Sequence, residues 1–200
     1  MPLSTKNSER KEYKQWSLND VWANIEKKYK IEKTLGKGSY GTVKQAVCIA
    51  TGQVVAIKHM TGFAEYEYDC VKVLREIQIM RGLKKMIKTT KACFIPQILE
   101  VIVPDSQLYS KSVKDVFVVM EFEMTDLQKL FSNGNQVSFD KNHLKYVIYN
   151  LMCAIKFIGS ANVVHRDLKP NNILINDQCQ VKICDFGLAR TLPEGLDQFT

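Results

Sequence analysis

The 200-residue chain has no cysteines spaced C-x-x-C, no run of 18 or more apolar residues and no apolar core near its N-terminus. Each absence removes a class. The six cysteines, Cys48, Cys70, Cys93, Cys153, Cys179 and Cys184, lie largely within strand-like or helix-like runs. That placement is unlike a disulfide framework or a zinc site and predicts free thiols in a reducing compartment. The missing apolar run excludes a long membrane-crossing helix. Glu9 and Glu12 interrupt the basic residues at the start, which does not fit a transit peptide. A soluble cytoplasmic or nuclear protein is expected, with neither membrane nor nucleic acid as partner. Histidine is scarce as well, and His59 and His143 have no metal-ligating company in the sequence, so both are expected to be structural or solvated.

What is present is ample core material. Apolar residues make up 46% of the chain, and a net charge of +7 fits either a solvated basic face or anionic partners such as nucleotide phosphates. Residues 1 to 16 read as a polar tail. Ser17-x-x-Asp20 has the form of a capping box, and Leu18, Val21, Trp22 and Ile25 recur at helical spacing, which predicts a short amphipathic helix against the first lobe. A partner-binding helix is the alternative there. Strands are expected over 31 to 35, 42 to 47 and 54 to 58, then a helix over 69 to 86 with Val73, Ile77, Met80 and Leu83 on one face. Two more strands, 97 to 103 and 116 to 121, complete an antiparallel sheet of five. Helix 140 to 158 repeats Leu144, Val147, Ile148, Leu151, Ile155 and Ile158 at a 3.6-residue period, as the core helix of a second, α-rich lobe.

Four stretches carry chemistry. Gly36-Lys37-Gly38-Ser39-Tyr40-Gly41 joins the first two strands. A lone G-x-G-x-x-G is weak evidence, and a dinucleotide-binding fold would need a helix after it. The β-like run from Thr42 to Val47 favours a hairpin over nucleotide phosphates, where side-chain-free glycines let backbone N–H groups approach the oxygens. Val55-Ala56-Ile57-Lys58 follows on the third strand. His165-Arg166-Asp167-Leu168-Lys169-Pro170-Asn171-Asn172 comes much later, and Asp185-Phe186-Gly187 lies beyond a short strand pair. Phosphoryl transfer needs a carboxylate beside the attacking hydroxyl and oxygen ligands for Mg²⁺, and Asp167, Asn172 and Asp185 offer those groups.

Together these stretches resemble the motif set of eukaryotic protein kinases. The resemblance implies an α+β, two-lobed fold: 1–28 a tail and short helix, 29–121 a sheet-rich N-lobe with one regulatory helix, 122–200 part of an α-rich C-lobe. It implies ATP and Mg²⁺ as cofactors, with Asp167 taking the proton of the incoming hydroxyl and Lys169 steadying the γ-phosphate. A lysine at 169 points to serine or threonine acceptors. Lys58 would bridge the α- and β-phosphates and pair with Glu76, and Asn172 and Asp185 would hold the metal. The nucleotide would lie against Gly36, Lys37, Gly38, Ser39, Gly41, Val43 and Ala56, with Met120 gating the pocket and main-chain groups of Glu121 and Glu123 meeting the adenine. His165 reads as a loop member rather than a base, and Arg166 as a ligand for a phosphorylated activation-loop residue. Cys184 is a candidate to face the nucleotide cleft.

Lys114-Asp115-Val116, Met124-Thr125-Asp126-Leu127 and the run from Lys182 to Arg190 resemble the mitogen-activated protein kinases, with the cyclin-dependent kinases as the near alternative. Protein substrates and an upstream activating kinase are the partners this implies. The chain stops at Thr200, before any Ala-Pro-Glu element. A C-terminally truncated kinase is therefore expected, and the alternative is a nucleotide-binding or regulatory module without transfer activity.

Overall fold

A computed structural model describes residues 18–38, 41–87, 93–107, 113–132 and 140–193. Helix α1 (Leu18–Glu26) leads into strands β1 (Tyr29–Gly38), β2 (Gly41–Cys48) and β3 (Val54–Thr61). Helix α2 (Glu67–Met86) follows, then β4 (Ile98–Ile102) and β5 (Asp115–Glu121). The five strands form one antiparallel sheet in the order β1-β2-β3-β5-β4. Ser39 and Tyr40, at the tip of the glycine turn, lie outside the described residues, as does Ser17 of the expected capping box.

Successive side chains on a strand point to opposite faces, and β3 and β5 use both. Val55 and Ile57 share a cluster with Phe117 and Val119, and α1 closes it with Val21, Trp22 and Ile25. Met60, Val116 and Val118 belong to the other face, where Val73, Met80 and Leu83 of α2 cover them. Strands β3 and β5 are thus buried on both sides. The same alternation sends Lys58, between Ile57 and His59, to the α2 side. Opposite residues of paired strands share a face, so Val43, which pairs with Lys58, lies there too. The short amphipathic helix expected from Leu18 onward is therefore part of the N-lobe core. Trp22 meets Phe117 edge-on at 4.8 Å and the His59 ring at 5.3 Å, with the Lys44 ammonium 4.0 Å over its indole.

His59 is indeed structural. Only 4% exposed, it stacks on Phe117 at 4.4 Å, and its Nε2 lies 2.7 Å from the Asp115 carboxylate. Gln107 completes this buried group by donating to the other Asp115 oxygen and accepting from the main-chain N–H groups of Lys114 and Asp115. A polar atom brought inside without such a partner is costly.

Beyond the sheet the chain runs through β6 (Thr125–Asp126), α3 (Leu127–Ser132) and α4 (Lys141–Ser160). Asp140 caps α4, accepting from the N–H groups of Asn142 and His143, while the His143 ring reaches back to the Asp140 N–H. His143 is thus a helix-start residue. Strand β7 (Val163–Val164) pairs with β10 (Arg190–Thr191), and β8 (Ile173–Ile175) with β6 and β9 (Val181–Ile183).

The six periodic residues of α4 are covered unevenly. Val147 and Ile158 are buried and Leu151 is partly so, whereas Leu144, Ile148 and Ile155 are exposed. No described element covers that side of the helix. A 3.6-residue period identifies an apolar stripe, not what packs on it.

Candidate active site

Three pieces of main chain bring the polar residues together. Strand β3 delivers Lys58 to the face of the sheet that α2 covers, and Glu76 of α2 meets it there. The ammonium lies 2.7 and 2.8 Å from the two carboxylate oxygens of Glu76. Asp185 Oδ1 is a further partner at 3.4 Å. Burial alone would pull the Lys58 pKa down, but the Glu76 and Asp185 carboxylates outweigh it and hold it above its ordinary value.

The second piece is the β8–β9 hairpin. Pairing of Ile173 with Ile183 sets Asn172, just before β8, beside Cys184, just after β9, and the Cys184 N–H donates to the Asn172 carbonyl at 3.0 Å. Asp185 therefore follows directly on an anchored residue. Its φ of +65° lies in the left-handed region, a cost of order 1 kcal/mol or more for a non-glycine residue that the surroundings must hold in place. They do so on both sides. Phe186, fully buried, meets the His165 ring edge-on at 5.0 Å, and His165 Nε2 is 2.9 Å from the Cys184 carbonyl. With Nε2 donating there, Nδ1 is left to accept from the Asp167 N–H. Both ring nitrogens are thus used in shaping the loop, in keeping with the reading of His165 as a loop member. Cys184 is half-buried, and burial together with neighbouring Asp185 pushes its thiol up to about 12, which makes it a poor nucleophile near neutrality.

The third piece is the loop at 165–172. Arg166, at φ +65°, turns the chain so that Asp167 faces Lys169 and Asn172. The Asp167 carboxylate accepts from Lys169 Nζ at 2.9 Å and from Asn172 Nδ2 at 3.1 Å. The hydrogen bond to Asp167 raises the Lys169 pKa. Asn172 Nδ2 also donates to the Asp167 main-chain carbonyl, so its amide oxygen is the atom available to a cation. Among the described residues no three His, Cys, Asp or Glu side chains cluster as a metal site. A cation held by Asn172 and Asp185 would complete its shell with phosphate oxygens and water, as the hard, reluctantly dehydrated Mg²⁺ does. The residues fit that ion.

The glycine turn is delivered by the β1–β2 hairpin, whose last described pair is Gly38 with Gly41. A Cβ at Gly36 would meet nothing within 4 Å. Gly41 differs: its φ is +145°, and a Cβ there would collide with the His59 carbonyl. Its missing side chain serves the fit of β2 on β3 as well as any phosphate. Across the cleft, Met120 pairs with Ala56 on one side and Ile98 on the other. The Glu121 N–H is already donated to the Gln97 carbonyl at 3.0 Å. That main-chain donor is spent, which narrows what Glu121 can give a ligand.

A model of the protein kinase domain matches residues 29–199. The chain belongs to the protein kinase family. Its relatives are mitogen-activated protein kinases: it is 41% identical over 162 residues to mitogen-activated protein kinase 13 of Oryza sativa subsp. indica, covering 81% of this chain and 30% of that protein. Mitogen-activated protein kinase 10 of Oryza sativa subsp. japonica is 40% identical over 163 residues, covering 82% and 25%. The chain spans less than a third of the length of these relatives.

In this kinase chain, sequence reasoning missed three groups. Lys182 of β9 reaches back to the hinge, the stretch 120–123 where the chain leaves the sheet at the end of β5, and pairs with both Glu121 and Glu123. Lys129 of α3 spans from Asp126 to the Leu35 carbonyl of β1, joining α3 to the sheet. Arg75 and Arg190 join Arg166 beside the residues after Asp185, each donating to a main-chain carbonyl: Gly187 for Arg75, Leu188 for Arg166 and Ala189 for Arg190. Burial, then Arg190 and Arg166, lower the Arg75 pKa. The available signal was Arg75 standing next to Glu76, because adjacent helix residues point to different sides.

Proposed function

We propose that the protein transfers the γ-phosphoryl group of ATP, with Mg²⁺, to serine or threonine hydroxyls of protein substrates in mitogen-activated-kinase-like signalling. The observation that carries this is the convergence of Lys58, Glu76, Asp167, Asn172 and Asp185 from four separate stretches into one polar cluster. Bound Mg²⁺ would neutralise charge developing on the phosphates. Asp167, steadied by Lys169 and Asn172, is placed to accept the proton of the attacking hydroxyl. Lys58, fixed by Glu76, presents a permanent positive charge to the phosphate oxygens. A module that merely binds nucleotide has no need of Asp167 so arranged, which favours transfer over the regulatory alternative.

The three arginines support regulation by an upstream activating kinase. They bring positive charge from α2, the 165–172 loop and β10 to one place and donate to carbonyls there. A phosphorylated residue further along the activation segment would supply a matching dianion. A cytoplasmic or nuclear location accords with this reading.

The test is transfer by the purified full-length protein to a generic basic substrate, with phosphoamino-acid analysis. Asp185→Asn and Lys58→Met should each lower the rate by at least ~10²-fold, the order expected when one electrostatic group is removed. Full activity in either variant, or phosphotyrosine as the product, refutes the assignment.

A further inference from the structure

Lys182 is not accounted for by the chemistry above. Its ammonium lies 2.9 Å from Glu121 Oε2 and 2.6 Å from Glu123 Oε1, so one cation grips the residues on both sides of Phe122. The Lys182 side chain is 15% exposed and that of Glu123 10%, so this pair is shielded from solvent, while the Glu121 side chain is 32% exposed. Glu121 is also held by Gln97. Its carboxylate accepts from the Gln97 N–H at 3.1 Å, while its own N–H donates to the Gln97 carbonyl. Lys182 sits on β9, paired with Leu174 of β8 and three residues before Asp185. The hinge, the strand leading to the metal-binding aspartate and the segment joining α2 to β4 are therefore tied at a single point.

We propose that Lys182 is a positioning residue for the nucleotide: from behind the hinge it fixes Glu121 and Glu123 so that their main-chain groups are preorganised for the adenine. This rests on the kinase reading above. One ammonium is the tie that joins the two carboxylates; without it nothing holds the two side chains together, and as like charges they also repel each other and turn outward. The main chain at 121–123 would turn with them. Burial opposes the charge on Lys182, but the hydrogen bonds it donates to Glu123 and Glu121 prevail and raise its pKa, so the clamp is charged throughout the neutral range. The cost of disordering the hinge falls on binding, because an ordered site pays less entropy when its ligand arrives.

The experiment compares wild type, Lys182→Met and Lys182→Arg in the full-length protein. Calorimetry with MgADP gives Kd, and steady-state kinetics with MgATP give KM and kcat. A fourth variant carries Lys182→Met with Glu121→Gln and Glu123→Gln, so that no carboxylate is left unpaired and folding is preserved. Lys182→Met should raise Kd and KM together by about tenfold, equivalent to about 1.4 kcal/mol of lost preorganisation. The value of kcat should stay within about twofold, the pattern of lost ground-state binding. Lys182→Arg should recover most of the affinity, and the triple variant should keep the weakened Kd at a wild-type melting temperature. An unchanged Kd in the Met or triple variant, or a fall in kcat at constant KM, overturns the proposal while leaving the kinase reading intact. Failure of the wild type itself to bind MgADP overturns the kinase reading and the clamp with it.

Discussion

Replacing Glu76 by glutamine keeps the shape of the side chain and removes its charge, leaving Lys58 with one remaining carboxylate neighbour. The pair is closely made, with both Glu76 oxygens within 2.8 Å of the ammonium and side-chain exposures of 19% and 9%. Breaking a buried pair from one side costs ~3–5 kcal/mol when nothing else compensates the orphaned charge. Here Asp185 Oδ1 stands 3.4 Å from Nζ, but its side chain is 48% exposed and partly screened. The expected loss is therefore ~2–3 kcal/mol, a large share of the ~5–15 kcal/mol that holds a domain together. A functional effect follows from the same geometry. Freed from Glu76, Lys58 moves toward Asp185 and competes with the cation for it, so transfer should fall by at least ~10²-fold. Urea unfolding of wild type, Glu76→Gln, Lys58→Met and the double variant should give a coupling energy of ~2 kcal/mol. The Lys58 pKa is raised in the folded state, so its stabilisation is fully present below the unfolded value of ~10.4 and is lost only as pH climbs through the higher folded value. The coupling should thus be flat from about pH 6 to 9. A coupling under ~0.5 kcal/mol, or one that fades within that range, would refute the reasoning.

Trp22→Ala removes the residue that seats α1 and should cost ~3–5 kcal/mol, with amide protection lost across 18–26, because nine helical residues do not hold together alone. Trp22→Phe should retain most of that stability in the same hydrogen-exchange measurement. Asp115 is buried, yet hydrogen bonds from His59 and Gln107 overcome burial and lower its pKa. Its contribution is present above the unfolded value of ~3.9 and is lost as pH falls through the lower folded one. Asp115→Asn should accordingly unfold at lower denaturant at pH 7 and show a flatter stability profile between about pH 4 and 2. Gly41→Ala meets both the positive φ and the His59 carbonyl and should lower stability by more than ~1 kcal/mol in thermal unfolding, whereas the open Gly36 should tolerate alanine better.

The sheet was legible because its signal is local. The strand runs stood out between glycine turns, and the spacing of Val73, Met80 and Leu83 marked the buried side of α2, while the meeting of Lys58 with Glu76 followed from the resemblance to protein kinases. The motifs at 165–172 and 185–187 were legible because each compresses several polar groups into a few residues. Lys182 escaped notice because its partners stand about 60 positions upstream and only the fold-back of β9 onto the hinge brings them close. Arg190 was hidden for the same reason, since the pairing of β10 with β7 is what brings it near Arg75. The spent N–H of Glu121 could not be read from side chains at all, because it depends on where the main chain of Gln97 passes. On α4 the apolar stripe was plain, but which of its residues are covered is settled by neighbours that a helical period does not name.

The place of α1 has a practical consequence for anyone producing this protein. The match to the kinase domain begins at residue 29, and a gene trimmed to that boundary would lose the whole of α1. The outer side of the sheet would then present Val55, Ile57, Phe117 and Val119 as a bare hydrocarbon floor beside the Asp115 group. Chains with such a floor stick to one another while refolding. The place to start an expression clone is upstream of Leu18, with any purification handle attached further out still.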